Sequence, residues 1–370
     1  MLNDSVKRAK SLIGPLLFAA ALLPVVFTIA AIAYGGIPPD FASFYESGRA
    51  WLNGAPPYPG SSEFPNMNPP SAVVLLFAPL AHLNSTLASL IWCGVGVIGV
   101  AASGRLIARE LGSLRDGALL ALSVPAGLSW IEGQITWLLL YPITRAWIAY
   151  RNRQPLMSGL WLGPVIAVKP FLALLPLSLG FIALLVSGLC SAGISSVVIA
   201  WTHWPVWRTW IDTAAAVPFV GYLNNASLWA PAARAVRAHT VAQVGWLASV
   251  LILTSGAVML VLTYRDEDPD RRWLAGGLFA LLLSPLGWIY YAPLFVGPLL
   301  AVLRDGSRSR LIRGSLTGFA IPTFALGSWR MVSYPAVLLT LASIYTWSVL
   351  TMWLCLAVRS TTSNRAAAQH

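Results

Sequence analysis

Residues 12–34 read LIGPLLFAAALLPVVFTIAAIAY, an uncharged stretch that follows Lys7, Arg8 and Lys10. A helix needs about 20 apolar residues to cross the hydrocarbon of a bilayer. A cleavable signal peptide carries an apolar core of only about 7–15 residues. The run therefore predicts a retained anchor, with its basic flank in the cytoplasm. Further apolar runs lie at 86–108, 117–131, 134–150, 155–168, 170–187, 190–205, 241–262, 274–288, 290–303, 315–328 and 335–357. With the first they make about twelve helices, the shorter of which could be broken helices. The expected fold class is all-α: a polytopic transmembrane helical bundle, with residues 1–370 forming a single integral membrane domain.

Composition points the same way. Of 370 residues, 57% are hydrophobic and only 10% are charged, with a mean hydropathy of +0.70. Soluble domains carry about 25% charged residues. In a soluble protein the net charge of +11 would suggest nucleic acid; here the basic residues stand in short clusters between apolar runs. With the N-terminus inside, 17 of the 24 Lys and Arg fall in cytoplasmic segments, namely the two termini and the loops at 105–116, 151–153, 264–273 and 304–313. That is the bias that orients membrane helices. It places both termini in the cytoplasm and two long segments, 35–85 and 206–240, on the other side of a plasma (inner) membrane.

Both long segments are rich in Trp, Tyr and Phe, which favours the membrane interface over disorder. Phe41, Phe44, Tyr45, Gly48, Trp51 and Leu52 recur at helical spacing, with Ser43, Glu46, Ser47, Arg49 and Asn53 mostly opposite them. A helix that short suits the interface plane. The stretch 71–83 after Pro69 and Pro70 is apolar and equally short, and predicts a second interfacial helix.

Few residues could carry chemistry. Cys93, Cys190 and Cys355 form no CxxC pair, and His82, His203 and His239 stand singly, so no metal or cofactor is expected. The chain has no Walker loop, GxGxxG or GxSxG, which argues against nucleotide-driven pumps and common serine hydrolases. Asp40 directly follows Pro38 and Pro39; it reads both as a helix cap and as a carboxylate at headgroup depth. Glu46 and Arg49 suggest a local ion pair, and Glu63 a solvated acid. Glu132 and Gln134 lie in the turn WIEGQITW, where a structural hydrogen bond competes with a site role. Lys169 ends an apolar run in AVKPF. It could snorkel to the interface or hold a lipid phosphate as a point charge, as could Arg208, Arg234 and Arg237.

The segments PPDFASFYESGRAWLNGAPPYPG (38–60) and FPNMNPPSAVVLLFAPLAHL (64–83) resemble the first outer loop of glycosyltransferase family 87, of the GT-C class. Fainter likenesses follow in order: EGQITWLLL (132–140), RNRQPLMSGLWLGPVIAVKPFLALLPL (151–177) and GYLNNASLWAPAARAV (221–236). The resemblance implies a GT-C-like bundle in which outer loops 35–85 and 206–240 build the active site. It implies transfer of a sugar, mannose or arabinofuranose, from a polyprenyl-phosphate donor to a glycolipid or polysaccharide acceptor. Asp40 matches the family's catalytic aspartate and Lys169 its donor-phosphate lysine, with Arg234 and Arg237 as further phosphate candidates. Tyr45, Arg49, Tyr58, Glu132, Gln134, Asn225, Tyr290 and Tyr291 are the corresponding candidates for substrate contact. The segment SPLGWIYYAPL (284–294) departs from the family, having Tyr290 and Tyr291 where a histidine is common. One carboxylate and one lysine suffice for a single displacement with inversion, because phosphate needs no strong general acid to leave. The competing expectation is a twelve-helix secondary transporter or lipid flippase, but the unpaired polar residues gather at one face rather than at the midplane.

Overall fold

A computed structural model describes residues 16, 19–20, 22–58, 65–114, 116–216, 219–305, 309–323 and 334–357. The basic segment with Lys7, Arg8 and Lys10, the first half of the 12–34 run, Glu63, part of the 315–328 run and the C-terminal tail lie outside these residues. Among the described residues every regular element is helical; the only β feature is an isolated antiparallel bridge between Asn225 and Trp288.

In chain order the helices are α1 (Leu22–Ala33), α2 (Pro39–Leu52), α3 (Pro70–Ala81), α4 (Ser85–Leu111), α5 (Leu119–Ile131), α6 (Thr136–Arg151), α7 (Pro155–Val168) and α8 (Pro170–Leu179). There follow α9 (Phe181–Thr202), α10 (Trp204–Ala216), α11 (Trp229–Val236), α12 (Trp246–Tyr264), α13 (Pro269–Leu283), α14 (Ile289–Arg304), α15 (Ser309–Leu316) and α16 (Pro335–Ala357). Four of these, α4, α9, α12 and α16, are long and apolar enough to cross a membrane. Their outward faces are rich in exposed Leu, Ile, Val and Trp, such as Ile98, Leu189, Trp246 and Leu251, as lipid contact requires.

The short amphipathic helix expected from Phe41 to Leu52 is α2, and the expected helix over 71–83 is α3, which contains a π turn at Val73–Phe77. Other boundaries differ from the hydropathy reading. The runs 170–187 and 190–205 do not form two similar helices. Gly180, at φ +108°, ends α8 after ten residues, and one unbroken helix runs from Phe181 to Thr202. Hydropathy is blind to this break because apolar residues flank the glycine on both sides. The expected outer loop 206–240 begins inside α10, and the 274–288 run starts earlier, at Pro269, where Asp268 caps the helix by accepting from the Arg271 N–H.

α6 and α7 pack side by side, with α4 against α6, α9 against α7, and α13 against α8 and α16. Gly159 and Gly163 let α7 and α9 approach closely: a Cβ on Gly163 would stand 2.4 Å from the Cβ of Cys190. Small residues four apart serve this purpose where lipid gives helices no hydrophobic reason to associate. At one end of this scaffold the interhelical turns 132–134, 169–170 and 284–291 converge on the start of α2.

Candidate active site

The first turn of α2 starts the site. Pro38, with φ −54° and ψ 131°, occupies the cap position and Pro39 opens the helix, so Asp40 lies one residue inside it. The reading of Asp40 as the cap is therefore corrected. Its side chain makes no capping bond, because the main-chain N–H groups of Asp40 and Phe41 donate to the Glu132 carbonyl at 3.0 and 3.3 Å. With the helix donors satisfied from outside, the carboxylate is left for other partners. The positive end of α2 still favours a negative charge there.

That carbonyl is held by a helix-terminating turn. α5 ends at Ile131, Glu132 follows, and Gly133 takes the left-handed conformation at φ +71°. The N–H of Gly133 donates to Trp130 and that of Gln134 to Ser129, the paired bonds of a Schellman ending. Glycine is required here twice over. Its φ is costly for other residues, and a Cβ would lie 2.7 Å from the Cβ of Pro38 and 2.8 Å from that of Phe41. Trp92 Nε1 fixes the turn from α4 by donating to the Gly133 carbonyl at 3.0 Å.

Gln134 then faces Asp40. Its Nε2 donates to Asp40 Oδ2, and its Oε1 accepts from the Tyr291 hydroxyl at 3.4 Å. Lys169 reaches the same place from the turn between α7 and α8. Pro170 disfavours helical geometry for the residue before it, and Lys169 sits at φ −136° and ψ 84°, off the helix. Its ammonium stands 5.4 Å from the Tyr291 ring centroid, and Phe171 packs on that ring at 4.9 Å.

Asp40, Glu132 and Lys169 each keep part of their surface open, yet the protein around them displaces most water. Burial raises the Asp40 carboxyl to about 6, against the opposing pull of Lys169 and the Gln134 hydrogen bond. Burial also raises Glu132, to about 7, with the Asp40 charge adding to the effect. The Lys169 ammonium is lowered by burial to about 8, with Asp40 opposing. Near neutral pH Asp40 is thus mostly deprotonated and Lys169 mostly charged, each titrating close to the working range.

Tyr290, next along the chain, accepts a hydrogen bond from Asn224 Nδ2 at 2.9 Å. The segment carrying Asn224 is joined to the 284–291 turn by main-chain bonds from Ala226 to Gly287 and from Ile289 to Asn224, at 2.8 and 2.9 Å. Asn225 is fully buried. Its Nδ2 donates to the Val220 and Pro285 carbonyls, and its Oδ1 accepts from Ser227 N–H. Arg234 is fully buried too, donating to the carbonyls of Gly221 and Tyr222 and to Ser343 Oγ.

The structure therefore brings together Asp40, Glu132, Gln134, Lys169, Tyr290 and Tyr291. No described contact joins the other candidates to Asp40. Tyr45 donates to the Leu83 carbonyl at 2.7 Å and Tyr58 to the Asn68 carbonyl at 2.8 Å. Arg49 and Glu46 form the expected surface pair at 3.7 Å. Arg237 closes α11 at φ 54°, while Asn225 and Arg234 brace the 219–228 segment. Sequence reasoning missed Asn224, having singled out its neighbour Asn225, because adjacent asparagines look alike in sequence.

The profile of glycosyltransferase family 87 matches residues 66–285, more than half of the chain. The chain belongs to glycosyltransferase family 87. No curated protein and no solved structure matches it. Family 87 membership and the apolar helices make this a membrane glycosyltransferase; a transporter or flippase is not favoured. The matched span contains Glu132, Gln134, Lys169 and Asn224 of the candidate site. Asp40 lies before the span and Tyr290 and Tyr291 after it, joined to the matched residues by the contacts above.

Proposed function

We propose that this protein transfers a sugar from a polyprenyl-phosphate donor to a hydroxyl of a glycolipid or polysaccharide, on the non-cytoplasmic face, by a single inverting displacement. The observation that carries the reading is the carboxylate of Asp40, held by Gln134, which also binds the Tyr291 hydroxyl while the Lys169 ammonium lies on the Tyr291 ring. Asp40 takes the proton of the acceptor hydroxyl as its oxygen attacks the anomeric carbon. The bond from that carbon to the phosphate oxygen breaks, and Lys169 stabilises the polyprenyl phosphate that leaves. The GT-C class, a bundle of about twelve spans and cytoplasmic termini belong to the same proposal. It is supported by the clustering of Lys and Arg in alternate loops and by the convergence of turns at one end. Mannose and arabinofuranose are the sugars that the resemblance favours.

The test uses the purified full chain in nanodiscs with polyprenyl-phosphate mannose or polyprenyl-phosphate arabinofuranose, and octyl glycosides of the same sugars as acceptors. Glycosylated acceptor and free polyprenyl phosphate are expected in equal amounts. A general base contributes about 10²–10⁴-fold, so Asp40→Asn should lower turnover by at least that factor while melting normally. Full turnover by Asp40→Asn would remove this mechanism. In sealed proteoliposomes, movement of intact donor across the bilayer without phosphate release would favour a flippase.

A further inference from the structure

Tyr290 and Tyr291 are consecutive residues of the 3-10 turn that opens α14. With three residues per turn, their side chains diverge by about 120°. Tyr291 covers the Lys169 side of the site, through the ring contact with the ammonium and the bond to Gln134. Tyr290 points elsewhere and accepts from Asn224, within electrostatic reach of Glu132 and Asp40. Of these two adjacent tyrosines, Tyr291 thus carries Lys169, whose charge suits phosphate, while Tyr290 carries Asn224. A single displacement needs separate groups for acceptor and phosphate, since nucleophile and leaving group occupy opposite faces of the anomeric carbon.

The hydrogen bonding of Tyr290 and Asn224 is incomplete. Asn224 Nδ2 donates to the Tyr290 oxygen, so the Tyr290 hydroxyl proton must point to some other acceptor. Asn224 Oδ1 is buried and has no partner. Buried acceptors are rarely left unpaired, and each one calls for an explanation. Together the two side chains offer an open acceptor, Asn224 Oδ1, alongside the open Tyr290 hydroxyl donor. Neighbouring hydroxyls of a sugar present that pattern in reverse.

We propose that Asn224 is a specificity-determining residue: its amide, and the Tyr290 hydroxyl it orients, bind hydroxyl groups of the acceptor sugar. The inference rests on the transferase reading above. The Asn224 segment is rigid enough for this role, because main-chain bonds to Gly287 and Ile289 and the buried Arg234 guanidinium fix its backbone independently of the Asn224 side chain.

Kinetics with donor and acceptor varied separately test it, using the octyl glycoside acceptor named above. Asn224→Ala should raise the acceptor KM about tenfold or more, the effect of losing one hydrogen bond of about 1.4 kcal/mol. Tyr290→Phe, which removes only the hydroxyl, should do the same. Asn224→Asp keeps the acceptor oxygen but loses the donor to Tyr290, and should fall between. In all three the donor KM should stay within twofold of wild type, whereas Lys169→Ala should raise the donor KM instead. The inference is overturned if the acceptor KM is unchanged in all three variants, or if donor and acceptor KM rise together. Failure of the transferase reading would look different: wild type itself would then form no glycosylated acceptor and release no polyprenyl phosphate, whatever Asn224 does.

Discussion

Replacing Gly133 with alanine perturbs the contact that sets the distance between Asp40 and Gln134. Two costs can be read from the structure. At φ +71° an alanine is strained by about 1–2 kcal/mol. Its Cβ would also stand 2.7 Å from Pro38 and 2.8 Å from Phe41, overpacking that costs about 1–3 kcal/mol more. The sum is about 2–5 kcal/mol. Gly112 isolates the first cost. It has φ +77° and nothing within 4 Å of its missing Cβ, so Gly112→Ala should lose only the strain, about 1–2 kcal/mol. The crowding at Gly133 can be relieved only by moving the start of α2 away from the turn. That movement carries Asp40 with it, and a displacement of about 1 Å in a reacting group costs about 10²-fold in rate. Thermal melting in detergent and the transfer assay read both effects together. Gly133→Ala is expected to melt below Gly112→Ala and to lose about two orders of magnitude in turnover, with Gly112→Ala close to wild type. Equal melting of the two variants with full activity in Gly133→Ala would refute the idea that this contact positions Asp40.

Two further outcomes are expected. A Cβ on Gly48 would lie 2.6–2.8 Å from the backbone of Phe77 and Ala78, atoms that no rotamer change can move. Gly48→Ala should therefore destabilise the chain by about 1–3 kcal/mol. Gly94→Ala in α4, where a Cβ meets nothing within 4 Å, should be neutral or stabilising by up to about 1 kcal/mol; denaturant melts of both would show whether α2 and α3 pack this closely. The pH dependence of kcat/KM should be bell-shaped. Activity rises as Asp40 loses its proton near 6 and falls as Lys169 loses its charge near 8. Gln134→Leu removes the hydrogen bond that lowers Asp40, so it should move the acid limb to higher pH; a limb that stays in place would exclude Asp40 as its source.

How much of this could be read from the sequence differs from residue to residue. The amphipathic α2 was legible because its apolar positions recur at helical spacing, and Asp40 and Lys169 were conspicuous as single charges beside prolines. The Gly180 break was not legible, since a glycine between leucine-rich runs gives no hydropathy signal. Arg234 shows a different limit. Two arginines three residues apart, Arg234 and Arg237, look alike in sequence; the turn of α11 puts the first among carbonyl oxygens and leaves the second at the helix end. Asn224 and Asn225 present the same problem one residue apart. Whether an amide braces a loop or faces a site depends on a neighbouring segment some 60 residues away, and local pattern does not contain that information.

Apart from Asn224, which comes from a loop, the polar groups of the site enter where a helix stops or starts: Asp40 after Pro38 and Pro39, Gln134 after Gly133, Lys169 before Pro170, Tyr290 and Tyr291 after Ser284 and Pro285. This has a physical reason. Within an apolar helix each backbone group is satisfied by the helix itself, and only the ends leave donors and acceptors open. Two such ends placed together can satisfy each other, as the start of α2 and the end of α5 do through the Glu132 carbonyl. That mutual capping frees the side chains at both ends from structural duty. Asp40 is available for chemistry because Glu132 does the capping, and Gln134 can hold Asp40 because Gly133 closes the turn. The geometry of the site therefore depends on how helix ends meet more than on how many helices cross the bilayer.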